Sequence, residues 1–359
     1  MGENSAYYNS LYQKRKDATV QVKELLPQHA HGFIDECILN SQINTAYNYA
    51  HDILFFYQYI KETNPICEKL EIEDITIDVV KKLTHQDITE YQIYIAAGHK
   101  KTNGVVKPAS SSAIARKMAA LRKYFKYLIR YDYLTEDPTI KAVSKKTDND
   151  NKEIRRLNEE QVKQLVKAVS ETNVDSYHSR MLSEQTAKRD LAIIILLLRT
   201  GIRVSECVGL DLSDVDFETN TITIVRKGGA ADELKINEMI RNTLKDYIST
   251  ERPVLLQDEE DSALFISLKH RRLSLRSVEK MIEKYGKKAG YNKRLTPHTL
   301  RRTFGTSLYN NTGDIYMVAS ILGHKDINTT SKHYTAIDEK RKQMAVEIDI
   351  YNMDKDSSL

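Results

Sequence analysis

The chain has 359 residues, 41% of them hydrophobic and 29% charged, a composition that fits a globular protein of about two domains. Its longest aliphatic run, residues 191–198, is shorter than the roughly 20 apolar residues of a membrane helix, and no basic-then-apolar signal opens it, so a cytoplasmic protein is expected. Cys37, Cys67 and Cys207 lack CxxC spacing and suggest neither a disulfide framework nor a zinc site, and a net charge of +4 (pI ≈ 8.6) leaves a nucleic-acid partner to be decided by local clustering.

In chain order, Tyr47, Ala50, Leu54 and Tyr57 predict one amphipathic helix, and Ile114, Met118, Leu121, Phe125 and Leu128 predict another. The part of the chain before residue 141 therefore reads as wholly helical. Ser110 to Ser112 supply a cap for the second helix, and Asp137-Pro138 stops the chain soon after it. Arg116, Lys117, Lys123, Lys126 and Arg130 fall outside its apolar stripe, and Lys100, Lys101 and Lys107 precede it. Such a face suits DNA phosphates, although lysine-rich solvated faces are common.

Residues 141–156 are polar, almost without apolar periodicity, and read as a linker. Asn158 then opens a helix, and a buried helix over 190–200 ends at Gly201. Alternation over Thr221, Ile222, Thr223 and Ile224, and again around Leu234 and Ile236, predicts a β-hairpin across Lys227-Gly228-Gly229. Residues 263–266 suggest a further strand, and helices fill the rest. The fold class is mainly α with a small antiparallel β-sheet.

Several polar residues here suit anion chemistry. His298 and Arg301 stand three apart, on one face of a helix that Thr296 and Pro297 start, where unsatisfied N–H groups favour a phosphate. Leu300, Phe304 and Leu308 bury another face. Arg203 follows the break at Gly201, and its planar fork suits two phosphate oxygens; Glu206 lies beside it if the segment is helical. Taken singly, that pair reads more readily as a structural salt bridge. Lys227 at the hairpin tip suits an ammonium carried into a groove, with Arg226 and Lys235 as nearby competitors. His324 follows Leu322-Gly323, where a helix marked by Ile315, Val318 and Ile321 stops.

Arg203 in TGIRVSE, Lys227 in RKGG, His298 and Arg301 in PHTLRRTF, His324 in LGHKD and Tyr334 in KHYT follow one another in an order that resembles the tyrosine recombinase, or phage-type integrase, family. The resemblance covers residues 158–336. Tyr334 is the tenth residue after His324, and His333 holds the position where Xer-like members usually carry their tyrosine. The family implies a helical core-binding domain over 28–140 and an α+β catalytic domain over 157–336. An N-terminal extension over 1–27 and a tail over 337–359, exchanged between protomers, complete the expected organisation.

The resemblance implies recombination through a 3′-phosphotyrosine on Tyr334 and a Holliday junction, without metal, nucleotide or other cofactor. It assigns Arg203, Arg301 and His324 to the phosphate, His298 to proton transfer, Lys227 to the leaving group and Glu206 to support. It also implies a homotetramer on double-stranded DNA sites, with DNA-bending or directionality proteins as accessories and a nucleoid-associated location. Residues 1–27 and 171–187 look like additions to a minimal Xer pattern and favour integration or excision of a mobile element. The alternatives are an Xer-type chromosome-dimer resolvase, a type IB topoisomerase and a DNA-binding regulator that does not cut.

Overall fold

The computed structural model describes residues 6–100, 106–142, 156–171, 184–226, 228–257 and 261–323. Described residues 6–142 and 156–323 fall in two compact units, each with its own core. No helix among the described residues is long and apolar enough to cross a membrane.

The first unit is built from α1 (Ala6–Glu24), α2 (Gln28–Asn40), α3 (Ile43–Thr63), α4 (Ile77–Lys81), α5 (His85–Ala97) and α6 (Ser111–Arg130). It is not wholly helical: β1 (His99–Lys100) pairs antiparallel with β2 (Val106–Lys107). A two-residue strand carries too little alternation to be seen in a sequence. Ser110 caps α6 as expected, its hydroxyl accepting from the Ala113 N–H. The core is aromatic, with Phe33, Phe56, Tyr57, Tyr91, Tyr124 and Phe125 fully buried. Removing one such ring costs about 3–5 kcal/mol, because a cavity adds to the lost transfer energy. Helix α1 packs on α3, and Val22 and Leu26 join this core, so the segment set apart over 1–27 contributes to the packing of the unit.

The second unit is mainly helical with one small sheet, as expected. It holds α7 (Glu159–Ser170), α8 (Ala187–Thr200), α9 (Val204–Gly209), α10 (Glu238–Leu256), α11 (Leu275–Lys288), α12 (Pro297–Thr312) and α13 (Ile315–Leu322). Asn158 caps α7 in a reciprocal pair with Gln161. Residues 192–198 are all buried, and α8 lies against α7, α10 and α12. The sheet runs β3 (Val215–Asp216), β4 (Thr221–Val225), β5 (Ala231–Lys235), all antiparallel. Residues 263–266 do not form the expected strand. They make isolated bridges, Asp211 with Ala263 and Ile266 with Arg272, while the third strand is β3. The apolar run Ala263 to Ile266 is consumed by burial instead, and Tyr247 Oη accepts the Ile266 N–H.

Candidate active site

Helix α8 ends on Gly201, whose φ of 64° is left-handed. A Cβ there would lie 2.3 Å from a Phe304 ring carbon and 2.8 Å from a Leu322 methyl, so both geometry and space demand glycine. The tight exit sets Arg203 at the N-cap of α9 and Glu206 in its first turn. Glu206 is buried and receives the Arg203 backbone N–H at 2.7 Å and one guanidinium nitrogen at 2.8 Å. A second Arg203 nitrogen donates to the Gly323 carbonyl at 3.1 Å.

Helix α12 starts as its residues predict, with Thr296 capping the Thr299 N–H and Pro297 in the first turn. His298 is exposed there, whereas Arg301, one turn on, is buried. Arg301 donates to the Gly201 carbonyl at 2.6 Å and to the Leu322 carbonyl. Thus Arg203 and Arg301 come together at the C-terminal end of α13, a helix that closes on left-handed Gly323. Cations are favoured at that end by the helix dipole, by about 0.3–1 kcal/mol each.

A third guanidinium reaches the same place. Arg226, which immediately precedes Lys227, donates to the Ile321 carbonyl at 2.8 Å, to Glu206 at 3.3 Å and to Asp232 at 2.8 Å. Successive carbonyls of Ile321, Leu322 and Gly323 are therefore held by Arg226, Arg301 and Arg203 in turn. In the sequence Arg226 reads only as a rival for the Lys227 role, and this arrangement does not show. Its signal is weak, because the Ile321 carbonyl is a backbone group that no residue type marks and the Glu206 carboxylate lies 20 positions away in the chain.

The hairpin turn itself is described on both sides of Lys227. The Arg226 N–H donates to the Ala230 carbonyl at 2.8 Å and the Gly229 N–H to the Arg226 carbonyl at 2.9 Å, with Gly228 and Gly229 at φ of 110° and 87°. Lys227, His324, Tyr334 and the tail lie outside the described residues, as do 143–155 of the linker, Lys101 and the side chains of Lys100 and Lys107.

In the first unit, the basic residues of α6 divide into two kinds. Arg116 and Lys117 pair with Asp52, a buried carboxylate on α3, and the Lys117 ammonium also sits 3.6 Å from the centre of the Phe55 ring. Burial pulls the Lys117 pKa below its ordinary value, against the pull of Asp52. Arg130 pairs with Glu36 at 2.5 Å. Lys123 and Lys126 are exposed, Lys123 lying 5.2 Å from the centre of the Tyr49 ring.

Half-exposed Arg203 and buried Arg301 meet beside the hairpin at the helix end that opens LGHKD, and residues 155–341 match the model of the phage integrase family. The chain belongs to that family, the tyrosine recombinases, and is a site-specific DNA recombinase.

Among its relatives, tyrosine recombinase XerD of Staphylococcus epidermidis is 32% identical over 250 residues, covering 69% of this chain and 79% of that one. Tyrosine recombinase XerS of Streptococcus pneumoniae is 28% identical over 346 residues, 90% of this chain and 95% of that one. The fold is shared with the crystal structure of XerH site-specific recombinase bound to palindromic difH substrate, with a TM-score of 0.64, 19% identity and coverage of 97% and 98%. It is also shared with the Tn1549 transposon integrase in complex with circular intermediate DNA, at a TM-score of 0.60, 20% identity and coverage of 90% and 98%.

Proposed function

We propose that Tyr334 attacks the scissile phosphorus of a DNA site, forming a 3′-phosphotyrosine as the bond from phosphorus to the 5′ oxygen breaks. A tyrosine hydroxyl with a pKa of about 10 is a weak nucleophile at neutral pH, so proton removal and charge stabilisation are both required. His298 assists the proton away from Tyr334, and Lys227 gives a proton to the departing 5′ oxygen. Arg203 and Arg301 neutralise the non-bridging oxygens, His324 adds a hydrogen bond, and Glu206 orients Arg203. The phosphotyrosine retains the energy of the broken linkage, so the 5′ hydroxyl of another strand reverses the step without nucleotide.

The observation that carries this reading is the convergence of Arg203 and Arg301 on adjacent carbonyls, Gly323 and Leu322, immediately ahead of His324. Donors of this kind contribute roughly a hundred- to thousandfold each to rate. The test is a nicked suicide substrate, which traps a covalent adduct with the native protein. Tyr334→Phe should bind the same DNA and trap none. An adduct retained by that variant, or mapped by peptide analysis to Tyr309, Tyr316 or Tyr351, overturns the assignment. No adduct with the native protein would favour a DNA-binding regulator.

Two recombining sites and four strand cuts call for a homotetramer on DNA and a Holliday junction between the two pairs of cuts, with accessory DNA-bending or directionality proteins acting on the assembly. The mobile-element role rests on treating 1–27 and 171–187 as additions. The place of α1 in the first core and the similarity to the XerS chain over 90% of this one favour the second reading, an Xer-type resolvase. Sequencing the DNA held in covalent adducts from cells separates them: element ends support the first role, and a single chromosomal locus supports the second.

A further inference from the structure

The hairpin between β4 and β5 is tied down just before its glycines. Gly228 and Gly229 both occupy positive φ, at 110° and 87°, where glycine is conformationally free. Just before them, the Arg226 side chain is 10% exposed and its guanidinium is fully engaged. Nε reaches Asp232 across the hairpin at 2.8 Å, one terminal nitrogen reaches buried Glu206 at 3.3 Å, and the other donates to the Ile321 carbonyl at 2.8 Å. Glu206 in turn holds Arg203 at 2.8 Å. One side chain therefore joins the hairpin, the support of the Arg203 guanidinium and the end of α13.

A guanidinium holds its protons too tightly to serve as a general acid, so the role of Arg226 must be a different one. Its neighbour Lys227 is the residue that the tip must present. We propose that Arg226 is a positioning residue for strand cleavage: it clamps the hairpin tip to Glu206 and to the α13 end, so that the Lys227 ammonium is delivered to the leaving 5′ oxygen. This rests on the reading of Lys227 as the proton donor. Asp232 is the outer arm of the clamp, and Glu206 and the Ile321 carbonyl are its fixed wall.

The test uses the full chain and single-turnover cleavage of two DNAs, one ordinary and one with a bridging sulfur in place of the 5′ oxygen, which leaves without a proton. Arg226→Ala should slow cleavage of ordinary DNA by about tenfold or more, with DNA affinity in native gels unchanged, because general acids contribute about a hundred- to ten-thousandfold. Sulfur should restore most of that rate. On ordinary DNA, Arg226→Ala combined with Lys227→Ala should be no slower than Lys227→Ala alone, as expected when one residue acts through the other. Lys235→Ala should match the native protein on both DNAs.

Native cleavage rates for Arg226→Ala, or slow cleavage that sulfur leaves slow, overturn the proposal. If Arg226→Ala fails to melt cooperatively, Asp232→Asn takes its place. That change removes the charge of the half-exposed outer arm, and a smaller, sulfur-rescued slowing is expected; no slowing overturns the proposal. Failure of sulfur to rescue Lys227→Ala rejects Lys227 as the donor, whereas rescue of Lys227→Ala without rescue of Arg226→Ala rejects the clamp alone.

Discussion

Gly201 shows how much a single residue carries at this site. Its carbonyl accepts from Arg301, its φ of 64° turns the chain toward Arg203, and its missing Cβ leaves room for Phe304 and Leu322. Gly201→Ala should destabilise the second unit by about 2 kcal/mol or more, from left-handed strain and overpacking together. It should also lower cleavage, because the carbonyl that fixes Arg301 must shift. Urea titration and the suicide-substrate assay read the two effects, and an alanine variant with native values in both would refute the account.

A different residue-scale effect concerns His29, which shares a hydrogen bond of 2.6 Å with Tyr57, itself 2.7 Å from the Tyr124 hydroxyl. Burial, with a smaller contribution from His31, lowers its pKa from 6.5 to about 4. The unfolded chain then takes up a proton between those values that the folded chain refuses. The stabilisation is complete above pH 6.5 and is lost as the pH falls through about 4. Urea midpoints should fall across that window in the native protein and fall less in His29→Gln; equal slopes would contradict the assignment.

At the scale of elements, the basic residues of α6 divide between internal support and solvent. Lys117 holds buried Asp52 and covers Phe55, so it acts as an internal strut, while Lys123 and Lys126 face solvent. Neutralising Lys123 and Lys126 together should weaken DNA binding and flatten its salt dependence by about 0.9 for each DNA phosphate no longer neutralised, with the urea midpoint unchanged. Lys117→Met should instead lower the urea midpoint, since it leaves Asp52 with Arg116 alone. An unchanged salt slope in the double variant would show the face to be merely solvated.

Asp52 also marks what a sequence conceals. Helices α6, α8 and α12 were legible because their caps and apolar stripes are local: Ser110, Gly201 and Thr296-Pro297 sit beside the residues they govern. Asp52 meets Arg116 across 64 positions of chain, and nothing near either one announces the pair. The short strands β1, β2 and β3 depend on distant or brief pairings of the same kind. At the candidate site the motifs pointed to Arg203, Glu206 and Arg301, which the structure brings to one helix end, since side-chain chemistry is written in residue types. The three α13 carbonyls were invisible, because every residue has one.

For the whole molecule, the proposed homotetramer would need copies of the chain to act together on two DNA sites. A single site needs one set of catalytic residues, but exchange between sites needs contacts that hold the sets in step. Residues 338–353 follow Tyr334, the proposed nucleophile, and include Met344, Val346, Ile348 and Ile350, a run rich enough in apolar side chains to dock on a neighbouring protomer. Burying such side chains contributes about 1.5–3 kcal/mol each before the cost of ordering the segment, enough for the tail to decide assembly. Deleting residues 339–359 should therefore leave single-site binding and Tyr334 adduct formation in place while abolishing the paired-site complex in native gels. The retained adduct separates a lost synapse from a damaged catalytic unit. Paired-site complexes that survive the deletion at native protein concentrations would place the protomer contacts elsewhere and reject the exchanged tail.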